Sequence, residues 1–402
     1  MSSDEEELHP PRNFLPLRSM IKRGEEEEAY KYMTDNNLTA DSFARRVKFG
    51  ERNDIFCPVC IAAQSGHLSI MKTLISMGFS YQSASPSDLV LHMAPVHLAS
   101  YGGHLAVVKS LIEEHGIDVN TRDGYDNTPI YWAINTLDAN LDLVKYLITA
   151  GAPVNMKNEI DKSSLLHTSV KYGNADVCTY LLAQGADVKA RDHNGCTPLH
   201  IASVWGDESS ARALLDAGAD VHARNRSRET PILVAAKHGI WPLMKMLYSR
   251  GADPDDNDND GNTVLNYAVT KQSYETVYYL TVLLNVELNT TSLKNATPFW
   301  SAVSSCNLDI ARLLVDSGFK PSLPVGEDGR IVFSFAHMDN DSNELLVSYV
   351  KEVATAPRSL QDLCTFRVRR ALGPQLSTAV TSLPLPGIVR DVVRLCRIPA
   401  TV

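Results

Sequence analysis

The chain has 402 residues, of which 44% are hydrophobic and 21% are charged, so it is long enough for several domains or for one long repeat array. Its net charge of −9 argues against a broad nucleic-acid-binding surface, and no apolar run approaches the length of about 18 residues that a membrane-spanning helix needs. The seven scattered cysteines are typical of a reducing compartment, which predicts a location in the cytosol or the nucleus.

The N-terminal segment is acidic and has no apolar core of the kind found in a signal peptide. Within it, the stretch Leu15–Asn36 is predicted to be helical, and the Glu25–Glu28 run is interpreted as the solvated face of that helix. Because the end repeats of an array need a polar outer face, we interpret residues 1–55 as an N-terminal helical cap.

A motif that recurs every 33 to 37 residues follows this segment. The clearest copy is Thr197-Pro-Leu-His200, and the position of its Thr is matched along the chain by Cys57, Ala94, Thr128, Ser164, Thr197, Thr230, Thr263 and Thr297. A small residue stands five positions after each of these marks, and it is Ala everywhere except at Ser169. A Gly-Ala-Asp-Val type of turn closes several units, at Gly151, Gly185, Gly218 and Gly251.

Each part of this motif has a structural reason. A Thr hydroxyl caps a helix, a Pro at the first helical position lacks an N–H that would be unpaired, and a Gly at the end adopts the left-handed conformation that terminates a helix. The pattern resembles the ankyrin repeat, which implies an all-α fold, a solenoid of helix pairs joined by hairpin fingers. We assign residues 56–350 to eight or nine such repeats, with a weaker ninth unit starting at Ile331.

The Asp-rich run that starts at Asp256 invites a different interpretation, a calcium-binding loop. It has carboxylates at loop positions 1, 3 and 5 and a glycine, Gly261, at position 6. Position 12, however, is Tyr267 instead of a bidentate Glu, and Asp260-Gly261 shares its register with Asn194-Gly195 of another unit. The run is therefore predicted to be a hairpin finger between two repeats.

Other candidate metal or redox residues also fit the repeat. Cys57 and Cys60 form a C-x-x-C pair, but they overlie Thr197 and His200 and are interpreted as core residues. The histidines have no metal-binding spacing, and three of them occupy the His position of the repeat: His97, His167 and His200. We expect no cofactor, no bound metal and no catalytic residues.

A partner surface is predicted at the ends of the first helices. Side chains seven and eight positions after each mark should point outward. The residues of interest at these positions are Tyr101, Tyr172, Trp205, Lys237 and His238. Exposed aromatic side chains with basic neighbours suit a binding hot spot, although packing against the adjacent finger is the alternative for each of them.

Two successive fingers carry opposite charge. One holds the basic residues Arg224, Arg226 and Arg228, and the next holds the acidic residues Asp255, Asp256, Asp258 and Asp260. They are either solvated loops that attract each other or a polarised patch that steers a partner, with Arg226 as a candidate contact.

The repeat period stops near Lys351, and two short apolar stripes follow. The first is predicted on a helix that starts at Ser359 and ends before Gly373-Pro374, and the second follows the non-helical segment Leu383–Pro386. A segment of this length buries little hydrophobic core by itself. The apolar stripes must therefore cover the last repeat or bind a partner.

The order of motifs in this tail resembles a SOCS box, here assigned to residues 356–402. The segment Ser359-Leu-Gln-Asp-Leu-Cys364, with Val368 and Arg369, matches its elongin-binding half. The segment Leu383-Pro-Leu-Pro386 matches its cullin-binding half. The chain as a whole is thus similar to the ankyrin-repeat and SOCS-box (ASB) family. The resemblance implies elongin contacts at Leu360, Leu363, Cys364 and Val368. It implies contacts with the type-5 cullin, which carries a RING subunit, at Leu383, Pro384, Leu385 and Pro386. A departure is Thr365, where an Arg is common.

The function that this resemblance implies is that of a non-catalytic substrate receptor in a cullin–RING ubiquitin ligase. Its expected partners are elongin B and elongin C, the type-5 cullin and an unknown protein substrate, with no nucleic acid and no membrane. The alternative is an ankyrin adaptor or inhibitor that binds proteins without any coupling to a ligase.

Overall fold

The computed structural model describes residues 14–40, 57–81, 93–284, 286–288, 290 and 297–319. These residues form helices and loops, and the β-structure among them is a single isolated bridge between Lys157 and Ser164. The chain divides into two compact units. The first comprises the described residues within 1–202 and 209–219, and the second comprises those within 203–208 and 220–402.

Short helices follow one another in pairs. The first unit opens with α1 (Phe14–Arg23) and α2 (Glu26–Asp35). The pairs after them are α3 (Pro58–Ser65) and α4 (Leu68–Ser76), α5 (Pro95–Tyr101) and α6 (Leu105–Lys109), α7 (Pro129–Ile134) and α8 (Leu141–Thr149), α9 (Leu165–Lys171) and α10 (Ala175–Ala183), and α11 (Pro198–Trp205) and α12 (Glu208–Asp216). The remaining pairs are α13 (Pro231–His238) and α14 (Trp241–Ser249), α15 (Val264–Thr270) and α16 (Tyr274–Tyr278), and α17 (Pro298–Ser304) and α18 (Leu308–Asp316).

The repeat marks lie where the sequence predicts them, because each one immediately precedes the first helix of a pair. The small residue five positions later is buried in all eight pairs, from Ala62 to Ala302. First helices therefore pack closely on first helices: α3 contacts α5 and α5 contacts α7 in one unit, and α13 contacts α15 in the other. The predicted closing glycines are left-handed, with φ of 85° at Gly185 and 94° at Gly251.

The predicted hydroxyl cap forms at some marks and fails at others. Ser164 and Thr263 make reciprocal capping boxes, and the Thr297 hydroxyl accepts the N–H of Trp300 at 3.4 Å. At Thr128 and Thr230 the hydroxyl does not cap the helix, so the prediction was wrong there. The residues three positions later in those two repeats are Tyr131 and Leu233, which complete no capping box.

The histidines at the third position after the mark join one repeat to the next. His97 and His167 are 0% and 2% exposed. The Nδ1 atom of His167 accepts the backbone N–H of Ser164 at 3.2 Å, and its Nε2–H donates to the carbonyl of Cys196 at 3.0 Å. His97 bonds to Ala94 N–H and to the carbonyl of Thr121 in the same way. Each ring is thus fixed as the neutral tautomer protonated on Nε2.

These two histidines should make the protein less stable in mild acid. Burial lowers the pKa of both His97 and His167 below the ordinary histidine value. Because the unfolded chain takes up protons first, the free energy of unfolding should decrease as the pH falls below about 6.5, by at most about 1.4 kcal/mol per pH unit for each histidine. Urea titrations at pH 7.5, 6.5 and 5.5 measure this slope. A His97→Asn/His167→Asn variant should show a shallower slope, and an equal slope in the variant would contradict the assignment.

The repeats of 34 and 36 residues absorb their additional residues in two ways. In the two 34-residue repeats that begin at Ala94 and Thr263, the second helix ends in a wider turn, over Ser110–Glu114 and Tyr279–Leu283. There the N–H of Leu284 bonds the carbonyl five residues earlier, at 3.0 Å. The 36-residue repeat that begins at Thr128 instead carries additional residues at the surface, where Leu137 is 82% and Ile160 62% exposed.

The described part of the chain contains no helix that combines the length and the apolar character needed to cross a bilayer.

Candidate protein-binding surface

The predicted surface residues lie at the C-terminal ends of first helices and differ in exposure. Tyr101 is 45% and Trp205 62% exposed, and His238 is also exposed. Tyr172 is half-buried, with the ammonium of Lys171 lying 5.5 Å from its ring centroid. Arg226 is exposed on its finger. These positions leave aromatic side chains accessible in both units, and their contact with a partner stays a prediction.

In the first unit, Tyr101 belongs to an aromatic group that the sequence analysis missed. Its ring meets the ring of Trp132 edge to face at 5.9 Å, and Tyr131 meets Trp132 in the same way at 5.6 Å. The indole N–H of Trp132 donates to a carboxylate oxygen of Asp123 at 2.8 Å. Burial, reinforced by the charge of Asp161, raises the pKa of Tyr131. The available signal was Tyr131 itself, which replaces the repeat histidine.

In four of the described fingers, one side chain holds the turn in shape. A carboxylate or amide oxygen accepts backbone N–H groups two and four residues further on, at 2.8 to 3.0 Å, and the residues that do so are Asp123, Asp192, Asn225 and Asp258. Asp and Asn side chains favour such turns, because they form hydrogen bonds with backbone groups a few residues away. It also gives the acidic residues at these positions a structural role.

The two oppositely charged fingers of the second unit contact each other. Arg224 forms an ion pair with Asp256, and the backbone N–H of Asn259 donates to the carbonyl of Ser227 at 3.0 Å. Asp258 is 6% exposed and binds the hydroxyl of Tyr267 with its second oxygen, whereas Arg226 is exposed. The attraction between neighbouring loops is therefore present, and it uses Arg224 only.

The Asp-rich run is confirmed as a finger, which leads to a test that separates structure from metal binding. Asp258→Ala should lower the free energy of unfolding by about 2 kcal/mol, because two backbone N–H groups and the Tyr267 hydroxyl lose their acceptor. Asp260→Ala, at an exposed residue of the same loop, is the matched control and should change it by less than about 0.5 kcal/mol. Millimolar calcium should not shift the melting temperature of either variant or of the wild type, and a calcium-dependent rise that Asp258→Ala abolishes would restore the calcium-loop interpretation.

The Cys57/Cys60 pair also has a structural role. Cys57 precedes α3, and its sulfur accepts the backbone N–H of Cys60 at 3.4 Å. The side-chain hydrogen bond between them lowers the pKa of Cys57 and raises that of Cys60, which is 1% exposed. Both are free thiols, and no group of three or more His, Cys, Asp and Glu side chains in the described ranges is arranged to hold a metal.

The predicted ligase-binding residues and the weaker ninth repeat lie outside the described residues. The elongin-binding set is Leu360, Leu363, Cys364 and Val368, and the cullin-binding set is Leu383, Pro384, Leu385 and Pro386. Their roles stay predictions from the sequence.

Comparison with known families agrees with the helix pairs. A family profile described as ankyrin repeats (3 copies) matches residues 17–123, 59–158, 130–225 and 232–325, which together exceed half of the chain. The protein is therefore an ankyrin-repeat protein, and the match begins within α1. A second profile, the SOCS box, matches residues 356–393. The chain belongs to the ankyrin-repeat and SOCS-box family.

Curated relatives match short stretches of this chain. A putative ankyrin repeat protein of Acanthamoeba polyphaga mimivirus, L271, is 45% identical over 65 residues, 16% of this chain and 9% of the relative. Two Drosophila melanogaster proteins, the palmitoyltransferase Hip14 and the E3 ubiquitin-protein ligase Ufd4, are 32% and 39% identical over 88 residues each, 22% of this chain. The chain spans 14% and 3% of their lengths. Because the matches cover so small a part of these relatives, they carry no activity over to this chain.

Proposed function

We propose that this protein is the substrate receptor of a cullin–RING ubiquitin ligase. The observation that carries the proposal is the presence on one chain of an ankyrin array, matched over 17–325 with a short gap, and a SOCS box, matched over 356–393. The repeats supply a surface for a target protein, and the box supplies the attachment to the ligase. The protein makes and breaks no covalent bond itself.

The two halves of the box would divide the work. Leu360 and Leu363, with Cys364 and Val368 on the same predicted stripe, bind elongin C in its complex with elongin B. The segment Leu383–Pro386 then meets the type-5 cullin with its RING subunit. Linking target and ligase in one assembly raises the effective concentration of target lysines near the charged ubiquitin-conjugating enzyme, which is how a non-catalytic subunit accelerates transfer.

The compartment is part of the same proposal. The described cysteines are free thiols, as expected for a protein in the cytosol or the nucleus.

Co-purification tests the proposal directly. The full chain, co-expressed with elongin B and elongin C, should elute with both in one size-exclusion peak, and this complex should then bind the type-5 cullin with its RING subunit. A chain that folds normally but elutes apart from both elongins would instead favour the adaptor without ligase coupling.

A further inference from the structure

Three residues of the second unit stand at corresponding positions, at the C-terminal ends of the first helices α11, α13 and α15. Trp205, His238 and Lys271 each stand eight residues after a repeat mark, and all three are exposed. The spacing of the glycines that follow Trp205 and His238 shows that the ends of successive first helices are neighbours. A Cβ placed on Gly206 would lie 3.2 Å from the side chain of Ile240, and one placed on Gly239 would lie 4.0 Å from that of Lys271.

A basic finger lies beside the end of α13, because Lys237 of that helix pairs with Glu229 of the finger. Arg226 and Arg228 are exposed at the tip of the turn that precedes α13. The tip is held in shape, because Arg228 N–H donates to the carbonyl of Asn225 at 2.9 Å and the carbonyl of Arg226 accepts from the side chain of Asn259 at 3.2 Å. Arg228 has a φ of 60°, which these hydrogen bonds maintain. The guanidinium groups therefore start from a fixed backbone, and that lowers the entropy lost on binding.

The nearby acidic side chains are largely used inside the protein. Glu229 is 8% exposed and accepts from Lys237 at 2.5 Å and from Asn225 at 2.8 Å. Asp256 pairs with Arg224, and Asp258 is buried in its turn. Of the acidic residues of these two fingers, Asp255 and Asp260 remain exposed, and Asp255 accepts the backbone N–H of Glu287 at 2.9 Å.

The cations, in contrast, remain available. Within the described part of the second unit, Arg226, Arg228 and Lys271 have no ion pair. The surface is therefore locally cationic on a chain whose net charge is −9.

We propose that this surface, defined as Trp205, Arg226, Arg228, His238 and Lys271, docks an acidic peptide segment of the target protein. Arg side chains bind carboxylates through paired, charge-assisted hydrogen bonds, and the exposed indole of Trp205 offers an apolar plane for an aliphatic or proline side chain of the same segment. A nucleic acid fits less well, because three scattered cations on a strongly acidic chain do not form a phosphate-tracking groove.

Since this inference rests on the proposed function, its experiment is chosen to be independent of the ligase. The purified full chain, without elongins, is used to select from a phage library of random 12-residue peptides. The selected peptides should contain at least about twice as much Asp and Glu as the unselected library. Binding of the strongest selected peptide, measured by fluorescence anisotropy, should weaken at least about tenfold in Arg226→Glu/Arg228→Glu and about fivefold in Trp205→Ala. It should also weaken as salt rises.

The matched control makes the same change of charge in the first unit, outside the proposed surface. Lys22→Glu/Lys31→Glu alters two exposed lysines of α1 and α2 and should leave the affinity within about twofold of wild type. Circular dichroism melts confirm that each variant is folded. Selection of peptides without enrichment in acidic residues, or equal affinity in the Arg226/Arg228 and Lys22/Lys31 variants, overturns the proposal. Tighter binding of a 12-nucleotide oligothymidine than of the best peptide would also overturn it, in favour of a nucleic-acid ligand.

Discussion

Replacing Leu360 and Leu363 together by alanine is expected to weaken binding of elongin B–C at least about 100-fold. Both leucines lie on the apolar stripe predicted for the first half of the SOCS box, which the family match covers. A leucine that fills a partner pocket costs about 2 kcal/mol or more when it is truncated, and 1.4 kcal/mol corresponds to a factor of ten. Isothermal titration of the full chain with purified elongin B–C measures the loss.

Thr365→Ala is the control within the same predicted helix. Thr365 follows Cys364 at a position where the family pattern commonly has Arg, and we expect it to contribute surface contact only. This variant should therefore bind within about threefold of wild type. The double leucine variant should also keep its ankyrin array folded, with an unchanged cooperative transition in urea. Undiminished elongin binding by the double variant would remove these leucines from the interface.

His167→Ala is expected to lower the free energy of unfolding by about 3 kcal/mol. The substitution leaves the carbonyl of Cys196 and the N–H of Ser164 without their partners in a buried place, and it opens a cavity beside α9. Because one of the two lost bonds joins adjacent repeats, cooperativity between them should also decrease. Urea unfolding followed by circular dichroism gives both quantities.

The array itself offers the comparison residue for this prediction. Asn266 occupies the histidine position of its repeat, and its side-chain oxygen accepts the N–H of Thr263 at 3.0 Å. His167→Asn should therefore retain the hydrogen bond to Ser164 and lose the one to Cys196, because the Asn side chain is shorter. Its loss of free energy of unfolding should be about half of that in His167→Ala. Equal losses in the two variants would show that the bond to Ser164 contributes little.

The sequence was sufficient for the fold because the repeat is encoded by short-range rules. Each mark, from Cys57 to Thr297, begins a helix pair, since capping, Pro at the first helical position and a small residue at a close contact act within one unit. The wider turns at Ser110–Glu114 and Tyr279–Leu283 were not predicted. They depend on how one additional residue is accommodated against the neighbouring repeat, which no local pattern reveals.

The candidate surface was predictable only in part. Counting from the repeat mark placed Tyr101 and Trp205 at exposed positions, because the register of a repeat decides which side chains point outward. The same count could not show that Trp132 packs against Tyr101 and donates a hydrogen bond to Asp123. It also could not show that Glu229 forms an ion pair with Lys237. Those contacts join residues of different offsets, so they require coordinates.

The unequal lengths of the repeats identify places where the chain can be extended. The repeat that begins at Thr128 accommodates three additional residues, because Leu137 and Ile160 project into solvent. Its Ala133 stays 1% exposed. The inter-helix loop at Leu137 is thus a natural attachment point. A fluorophore or an epitope inserted there would report on the molecule from outside its stacked helices.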